Sequence, residues 1–471
     1  MKSQNKNFLY NIVYQLLTFI IPFLTVPYIS RVLGVNNVGI YSYTYSIVYL
    51  FMLVGMLGFN NYGSRVIASC KDDREKLSFM FSSIYTLQLV INFIAIVGYV
   101  FYLLFFCKDY MLIAIIQGLF LISICFDINW FFFGIEKFKL TIIRNLIVKG
   151  LSVVFVFLFV KTSNDLWKYT LIMSGATLLS QIYLILIVNK YVKFKLVNLV
   201  HIKKHIKDVL ILFIPVIAFS IYRVMDKTMI GIFSNLNEVA YYEYAEKLMN
   251  IPTAIISALG TVMLPRMSYL YHKDDKEAEK TIEESMKLTI KMSTIMFLGI
   301  LLVADEAVLV LFGNDFLKSI DILKILSVTI IASAFANVIR THFLIPLKKD
   351  KIYVKSTIGA AIINLLLNLI FIKKIGALGA CIGTIAAEFF VMLYQICCTF
   401  KNLDYFKYFK MFAYELAINL SLVCLAGLVC SFVNNIYIRL IFKIIIVLII
   451  FLIINKKFIL EDFFGKSNKN D

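Results

Sequence analysis

Apolar residues in this chain neither alternate with polar ones nor keep to one face of a helix. They run on continuously and are then cut by short polar stretches. A run of about 20 apolar residues crosses the hydrocarbon core of a bilayer as one helix. Such runs fall near residues 8–30, 38–62, 78–106, 110–134, 140–160, 167–189, 208–233, 239–264, 286–312, 322–346, 352–372, 376–400, 410–433 and 436–455. The pattern predicts an all-α polytopic membrane protein with about 14 transmembrane helices. It excludes a membrane β-barrel, which would show short alternating strands.

The polar stretches divide by charge. Those at 63–76, 190–207, 265–291, 347–355 and 401–410 hold 23 Lys and Arg together. The alternate set, at 31–37, 107–110, 161–168, 234–240, 313–324, 373–376 and 434–439, holds 9. The positive-inside rule places the first set and both termini in the cytoplasm. The basic start, MKSQNKNFLYNIV, leads into an apolar run that continues to about Ile29 with no small-residue cleavage site. It reads as the first membrane helix and not as a signal peptide. The external stretches are all short, so no external catalytic domain is expected. The two longest polar pieces, 196–209 and 269–287, read as surface-lying amphipathic connectors on the cytoplasmic side.

Composition sharpens this picture. Hydrophobic residues make up 61% of the chain and charged residues only 16%, where a soluble domain has about 25% charged. The net charge of +18 would suit nucleic acid. Its concentration on alternate loops makes it topological instead, and no nucleic-acid partner is expected. The eight cysteines lie mostly inside apolar runs without zinc or redox spacing, and read as small buried apolar residues. There is no Walker A motif and no nucleophile–base constellation. The pairs Asp72–Asp73 and Asp274–Asp275 sit in charge-rich connectors and read as solvated rather than metal-binding. The chain is therefore not expected to be an enzyme, and no cofactor or metal is expected.

An internal repeat is visible. NNVGIYSY at 36–43 matches NEVAYYEY at 237–244, an offset of 201 that also carries Arg65 onto Arg266. Both copies sit where an external turn enters an even-numbered helix. Six helices separate them, so the copies share orientation, which predicts two six-helix lobes of the kind that hold a transport site between them. The expected divisions are an N-terminal lobe 1–205, a C-terminal lobe 206–405, and two additional helices with a cytoplasmic tail at 406–471. Arg65 and Arg266 are candidates for a cytoplasmic gate.

Four blocks carry a family resemblance: PYISRVLGVNNVGIYSYTYSIVYLF (27–51), DINWFFFGIEKFKLTIIRNLIVKG (127–150), RVMDKTMIG (223–231) and IGALGACIGTIAAE (375–388). The sequence resembles the bacterial polysaccharide repeat-unit flippases of the multidrug/oligosaccharidyl-lipid/polysaccharide exporter superfamily. The second block is the most specific, and the likeness extends over nearly the whole chain. It implies two lobes around a central cavity in a multi-pass protein of the bacterial plasma membrane. It also implies movement of an undecaprenyl-pyrophosphate-linked oligosaccharide from the inner to the outer leaflet, for O-antigen, capsule or other exopolysaccharide assembly. Coupling to an H+ or Na+ gradient is implied as well, with membrane lipids and a polysaccharide polymerase as candidate partners.

Charged side chains inside spanning helices are costly and generally face a cavity or a partner. Arg223, Asp226 and Lys227 share one helix face at i, i+3 and i+4. They form either a self-neutralising cluster or a cavity wall with one positive charge left for an anion. Glu243 and Lys247 are spaced for an i, i+4 pair, with Glu246 and Asn250 beside them. They read as a structural ion pair, a hydroxyl-binding group or an ion-coupling site. Arg31 ends the first helix, either snorkelling or facing the cavity. Arg144 enters the fifth helix, about 140° around the axis from Lys149. Arg340 lies within the tenth helix beside His342, which reads as a packed or gating residue. Guanidinium forks and ammonium groups suit a pyrophosphate in a low-dielectric path, so Arg31, Arg144, Arg223, Lys227, Lys247 and Arg340 are the phosphate candidates. Asp127, read as lying inside the fourth helix, joins Asp226, Glu243, Glu246, Asn250 and Glu388 as polar or coupling candidates. Tyr41, Tyr43, Tyr45, Tyr242 and Tyr244 could stack on sugars or form an interfacial belt.

Three other readings compete. A multidrug or cation antiporter of the same superfamily would want an acid-dominated cavity. A peptidoglycan-precursor lipid flippase would share the charge logic. A membrane polysaccharide polymerase would want a long external loop.

Overall fold

The computed structural model describes the backbone of residues 2–195 and 197–454. Sixteen α-helices make up most of it, and no strand occurs among the described residues. They are α1 (Lys2–Met56), α2 (Phe59–Ala68), α3 (Arg74–Phe105), α4 (Met111–Cys125), α5 (Asn129–Gly134), α6 (Phe138–Phe159), α7 (Leu166–Val188), α8 (Leu199–Phe233), α9 (Leu236–Lys273), α10 (Asp275–Phe312), α11 (Lys318–Ser327), α12 (Thr329–Val338), α13 (Asp350–Ile375), α14 (Ala377–Thr399), α15 (Tyr405–Ser431) and α16 (Ile436–Ile454). Eleven described stretches are long and apolar enough to cross a membrane. The polytopic all-α class expected from the apolar runs is what the chain adopts.

The runs and the helices differ where backbone chemistry intervenes. The first two runs form one helix, α1, bent at Gly34 in a left-handed conformation (φ 73°) that only glycine takes without strain. The fourth run splits into α4 and α5 around residues 126–128. The tenth run becomes α11, α12 and a six-residue π-helical segment, Ile339–Leu344. Neither predicted connector exists as a separate element. Residues 199–209 are the start of α8, and 269–287 are the end of α9 and the start of α10, joined at Asp274. Helical hydrogen bonding extends past the apolar run because nothing in the polar sequence stops it.

The chain forms two compact units, residues 1–232 and 233–471. In the first, α1 packs on α3, α4 and α6, α4 on α7, and α2 on α5. Its core at the α2–α5 contact is aromatic, with Trp130, Phe131, Phe132 and Phe81 almost fully buried. Gly63 makes this approach possible: a Cβ there would stand 2.6 Å from the Trp130 ring. The last turns of α8 dock on α1, where Thr228 and Ser46 hydroxyls lie 2.8 Å apart and Gly231 lies under Tyr43.

In the second unit α13 and α14 form a tight hairpin about Gly376 (φ 60°). Gly379 sits against the Phe371 backbone, 2.4 Å from where its Cβ would be. α10 is a spine carrying both α15 and α16. Glu306 of α10 is buried and accepts from Lys443 (2.7 Å) while pairing with Arg439 (2.8 Å), both from α16. Lys443 also donates to the Leu302 carbonyl at 2.8 Å. Asn419 of α15 donates to Thr294 at 3.0 Å.

The 201-residue repeat is structural. Asp73 caps α3 by accepting from the Glu75 and Lys76 amides, and Asp274, 201 residues on, caps α10 through Lys276 and Glu277. These aspartates are helix caps, more specific than the solvated charges expected of them. Asn37 donates to the Ser163 carbonyl (2.8 Å) just before α7. Its counterpart Glu238 accepts from the Ala377 amide (3.0 Å) at the start of α14. α4 packs on α7 in the first unit as α12 packs on α14 in the second.

Candidate functional site

A dense polar cluster in the first unit centres on Arg144. α6 places this side chain, 5% exposed, against α5 and α7. Its Nη1 donates to Gln181 Oε1 (3.2 Å), and its Nη2 donates to Asn129 Oδ1 (3.1 Å) and Asn145 Oδ1 (2.9 Å). Asn129 in turn donates to Asp127, from its backbone N–H (3.0 Å) and its side chain (2.6 Å). The sequence reading of Asp127 as a residue inside the fourth helix is corrected here. It occupies the break between α4 and α5, where a short acceptor bonding two residues ahead competes with the helix ladder. Gln88 of α3 holds the broken end, donating to the Ile124 and Asp127 carbonyls (both 2.9 Å) and accepting from Trp130 Nε1 (2.9 Å). Three amide oxygens orient the guanidinium. Lys149, on the same helix, is exposed while Arg144 is buried, as their angular separation requires.

Arg144 also lines a cleft of about 750 Å³ along α6 and α7, with Lys137 and Lys139 at its end. The loop holding the cleft's mouth is tied down by Glu136, whose carboxylate pairs with Lys71 at 2.7 Å. The hydrogen bond from Lys71 holds the Glu136 carboxyl below its ordinary range, and the same bond raises the Lys71 ammonium.

Other first-unit candidates fall on α1, α2 and α8. Arg31 is exposed, one turn before the Gly34 bend, and Arg65 is exposed in the last turn of α2. On α8, Asp226 is 1% exposed and Lys227 half-buried. The Arg223 side chain lies outside the described residues.

In the second unit Glu243 and Lys247 make the expected i, i+4 pair within α9, at 3.3 Å, with the Lys247 ammonium 4.5 Å from the Tyr244 ring centre. Glu246 is half-buried and Asn250 exposed on the same helix. Arg340 lies in the π-helical segment, donates to Asn337 (2.7 Å) and rests over the Tyr353 ring at 5.5 Å. Single turns of this kind recur at functional sites. His342 next to it is fully buried, with Nδ1 2.9 Å from the Thr341 hydroxyl. Glu388 accepts from Ser333 at 2.7 Å, joining α14 to α12. Arg266 is exposed on α9, as its repeat partner Arg65 is on α2. Tyr242 and Tyr244 belong to neither a belt nor a stacking platform. Tyr242 bonds Thr384 (3.1 Å), and Tyr244 is 1% exposed and stacked on Phe316. No group of three metal-ligating side chains forms among the described residues. The sequence reading passed over Gln88, Gln181 and the Glu306–Arg439–Lys443 triad. Isolated polar residues in apolar runs were the available signal.

The sequence matches the family of polysaccharide biosynthesis proteins over residues 5–271, more than half its length. The chain belongs to this family. Among relatives, a Shigella dysenteriae protein named for O-antigen transport is 24% identical over 385 residues, which cover 80% of this chain and 95% of that one. Among solved structures, the lipid II flippase MurJ in an inward closed conformation superposes with a TM-score of 0.79 at 17% identity, over 96% of this chain and all of that one. An inward-facing multidrug resistance transporter of the MATE family, in the MOP superfamily, gives 0.62 at 15% identity, over 80% and 93%. The two structural likenesses establish the fold of this family member, and the Shigella dysenteriae relative is itself named as a transporter.

Proposed function

We propose that the protein is a flippase that carries an undecaprenyl-pyrophosphate-linked oligosaccharide from the cytoplasmic to the outer leaflet of a bacterial plasma membrane. The observation that carries this reading is a set of cations kept within apolar helices, in a chain of the polysaccharide biosynthesis family. Arg144 and Arg340 are oriented by amide oxygens, and Lys247 by a carboxylate and a ring. Side chains held this way can meet a phosphate with little reorganisation, and guanidinium forks fit it bidentately. Arg31, Arg223 and Lys227 complete the phosphate path. Asp127, Asp226, Glu243, Glu246, Asn250 and Glu388 serve glycan hydroxyls or coupling to an H+ or Na+ gradient. Arg65 and Arg266 gate the cytoplasmic side, and a polysaccharide polymerase receives the product. An antiporter of cations would instead want acids to dominate these positions.

Expression in a cell that makes a matching lipid-linked glycan but lacks its own exporter tests this. Surface polysaccharide is expected with the wild-type chain. Arg144→Ala and Arg340→Ala are expected to lower it by at least tenfold at equal protein levels. No surface polymer from a well-expressed wild type would count against the reading, and rescue of a strain lacking a peptidoglycan-precursor flippase would redirect it to that lipid.

A further inference from the structure

We infer that the cleft along α6 and α7 is a binding site for an anionic phospholipid of the cytoplasmic leaflet. Three features of the cleft fit such a lipid end to end. Its mouth carries Lys137 and Lys139, both exposed, with the Arg144 side chain on the wall behind them. Among the described residues that line the cleft, Glu136 is the one acid, and it pairs with Lys71. The walls below are apolar and open: Ile143 and Ile147 of α6, and Leu179, 67% exposed, with Tyr183 of α7.

Depth is the third feature. From the start of α6 at Phe138 to Val148 the wall descends about 15 Å at the rise of an α-helix. That is half of a hydrocarbon core of about 30 Å, one leaflet. A phosphate at the lysines would therefore leave an acyl chain lying against Ile143, Ile147 and Leu179. Tyr183 stands beside this path at 45% exposure, an amphipathic ring suited to the headgroup boundary. The loops around this mouth belong to the basic side of the topology, where the anionic leaflet lies. Basic pockets between spanning helices on that side recognise lipid phosphates through the same chemistry. A zwitterionic lipid would fill the walls equally well but would gain less from the mouth.

The cleft shares Arg144 with the proposed transport path, but its headgroup residues Lys137 and Lys139 stand outside that path. Native mass spectrometry of the purified full-length chain, with phosphatidylglycerol or phosphatidylcholine added, tests it. Phosphatidylglycerol is expected to be retained at least tenfold more tightly. Lys137→Gln with Lys139→Gln should weaken it about 25-fold, near fivefold per charge at the surface. Ile147→Trp should reduce retention of both lipids by filling the wall. The control Lys203→Gln with Lys204→Gln, exposed basic residues on α8, should change nothing. All the altered side chains are exposed, so size-exclusion profiles should match wild type. Equal retention of the two lipids, or equal loss in the α8 control, would overturn the assignment. Displacement of phosphatidylglycerol by equimolar undecaprenyl phosphate would also overturn it, making the carrier lipid the occupant.

Discussion

Arg144 is held in place by its neighbours before any ligand arrives. Three amide oxygens from two neighbouring helices and its own position it, so its removal leaves three half-buried acceptors without their donor. At about 1 kcal/mol for each lost bond, Arg144→Met should destabilise the protein by about 3 kcal/mol, read in a chemical denaturation series in detergent. Arg144→Lys should recover part of that stability but not the planar fork, so transport should stay low while the protein folds. At the surface, the Lys71–Glu136 pair predicts a pH window. Glu136 is lowered in the folded state, so its contribution is present above an ordinary carboxyl pKa of about 4.3 and fades as pH falls. Lys71 is raised, so its contribution is complete below about 10.4 and is lost at higher pH. Lys71→Ala and wild type should therefore differ, by a small salt-sensitive amount, only between these limits. Overlapping neutral-pH and acid melting curves would show that the pair contributes nothing.

Elements were legible in the sequence to the extent that apolar length decides them. Fourteen runs mark the helical segments, yet three departures have causes that run length does not carry. Gly34 bends α1 without ending it, Asp127 sits at a helix break with its carboxylate accepting from the Asn129 amide, and a π-helical turn holds Arg340. The triad of Glu306, Arg439 and Lys443 was hidden for a different reason: Glu306 stands more than 130 residues before the two cations it pairs with, and looks alone like a stray charge. α16 depends on it. Glu306→Leu leaves Lys443 buried and unpaired, and should cost about 3 kcal/mol. Adding Lys443→Leu should restore a large part, since an apolar pair removes both desolvation penalties. Limited proteolysis at the α15–α16 turn would follow both. In the α13–α14 hairpin, Gly379→Ala pushes a methyl group into the Phe371 backbone and should lower stability by about 2 kcal/mol.

At the scale of the molecule, the repeat offset of 201 gave the most information per residue. It predicted matched helix entries, and the structure adds matched caps at Asp73 and Asp274 and matched ties at Asn37 and Glu238. The two copies carry different polar clusters: amide-held Arg144 in the first, and Lys247, Arg340 and Glu388 in the second. On the proposed function, these clusters serve the passage of a lipid-linked glycan. The most direct measurement is leaflet exchange of a fluorescent undecaprenyl-pyrophosphate oligosaccharide in proteoliposomes, under an imposed H+ or Na+ gradient. Exchange should require the protein and should fall at least tenfold in Arg144→Ala and in Arg340→Ala. Wild-type protein, folded and correctly inserted, that leaves the labelled lipid in its original leaflet under either gradient would contradict the account.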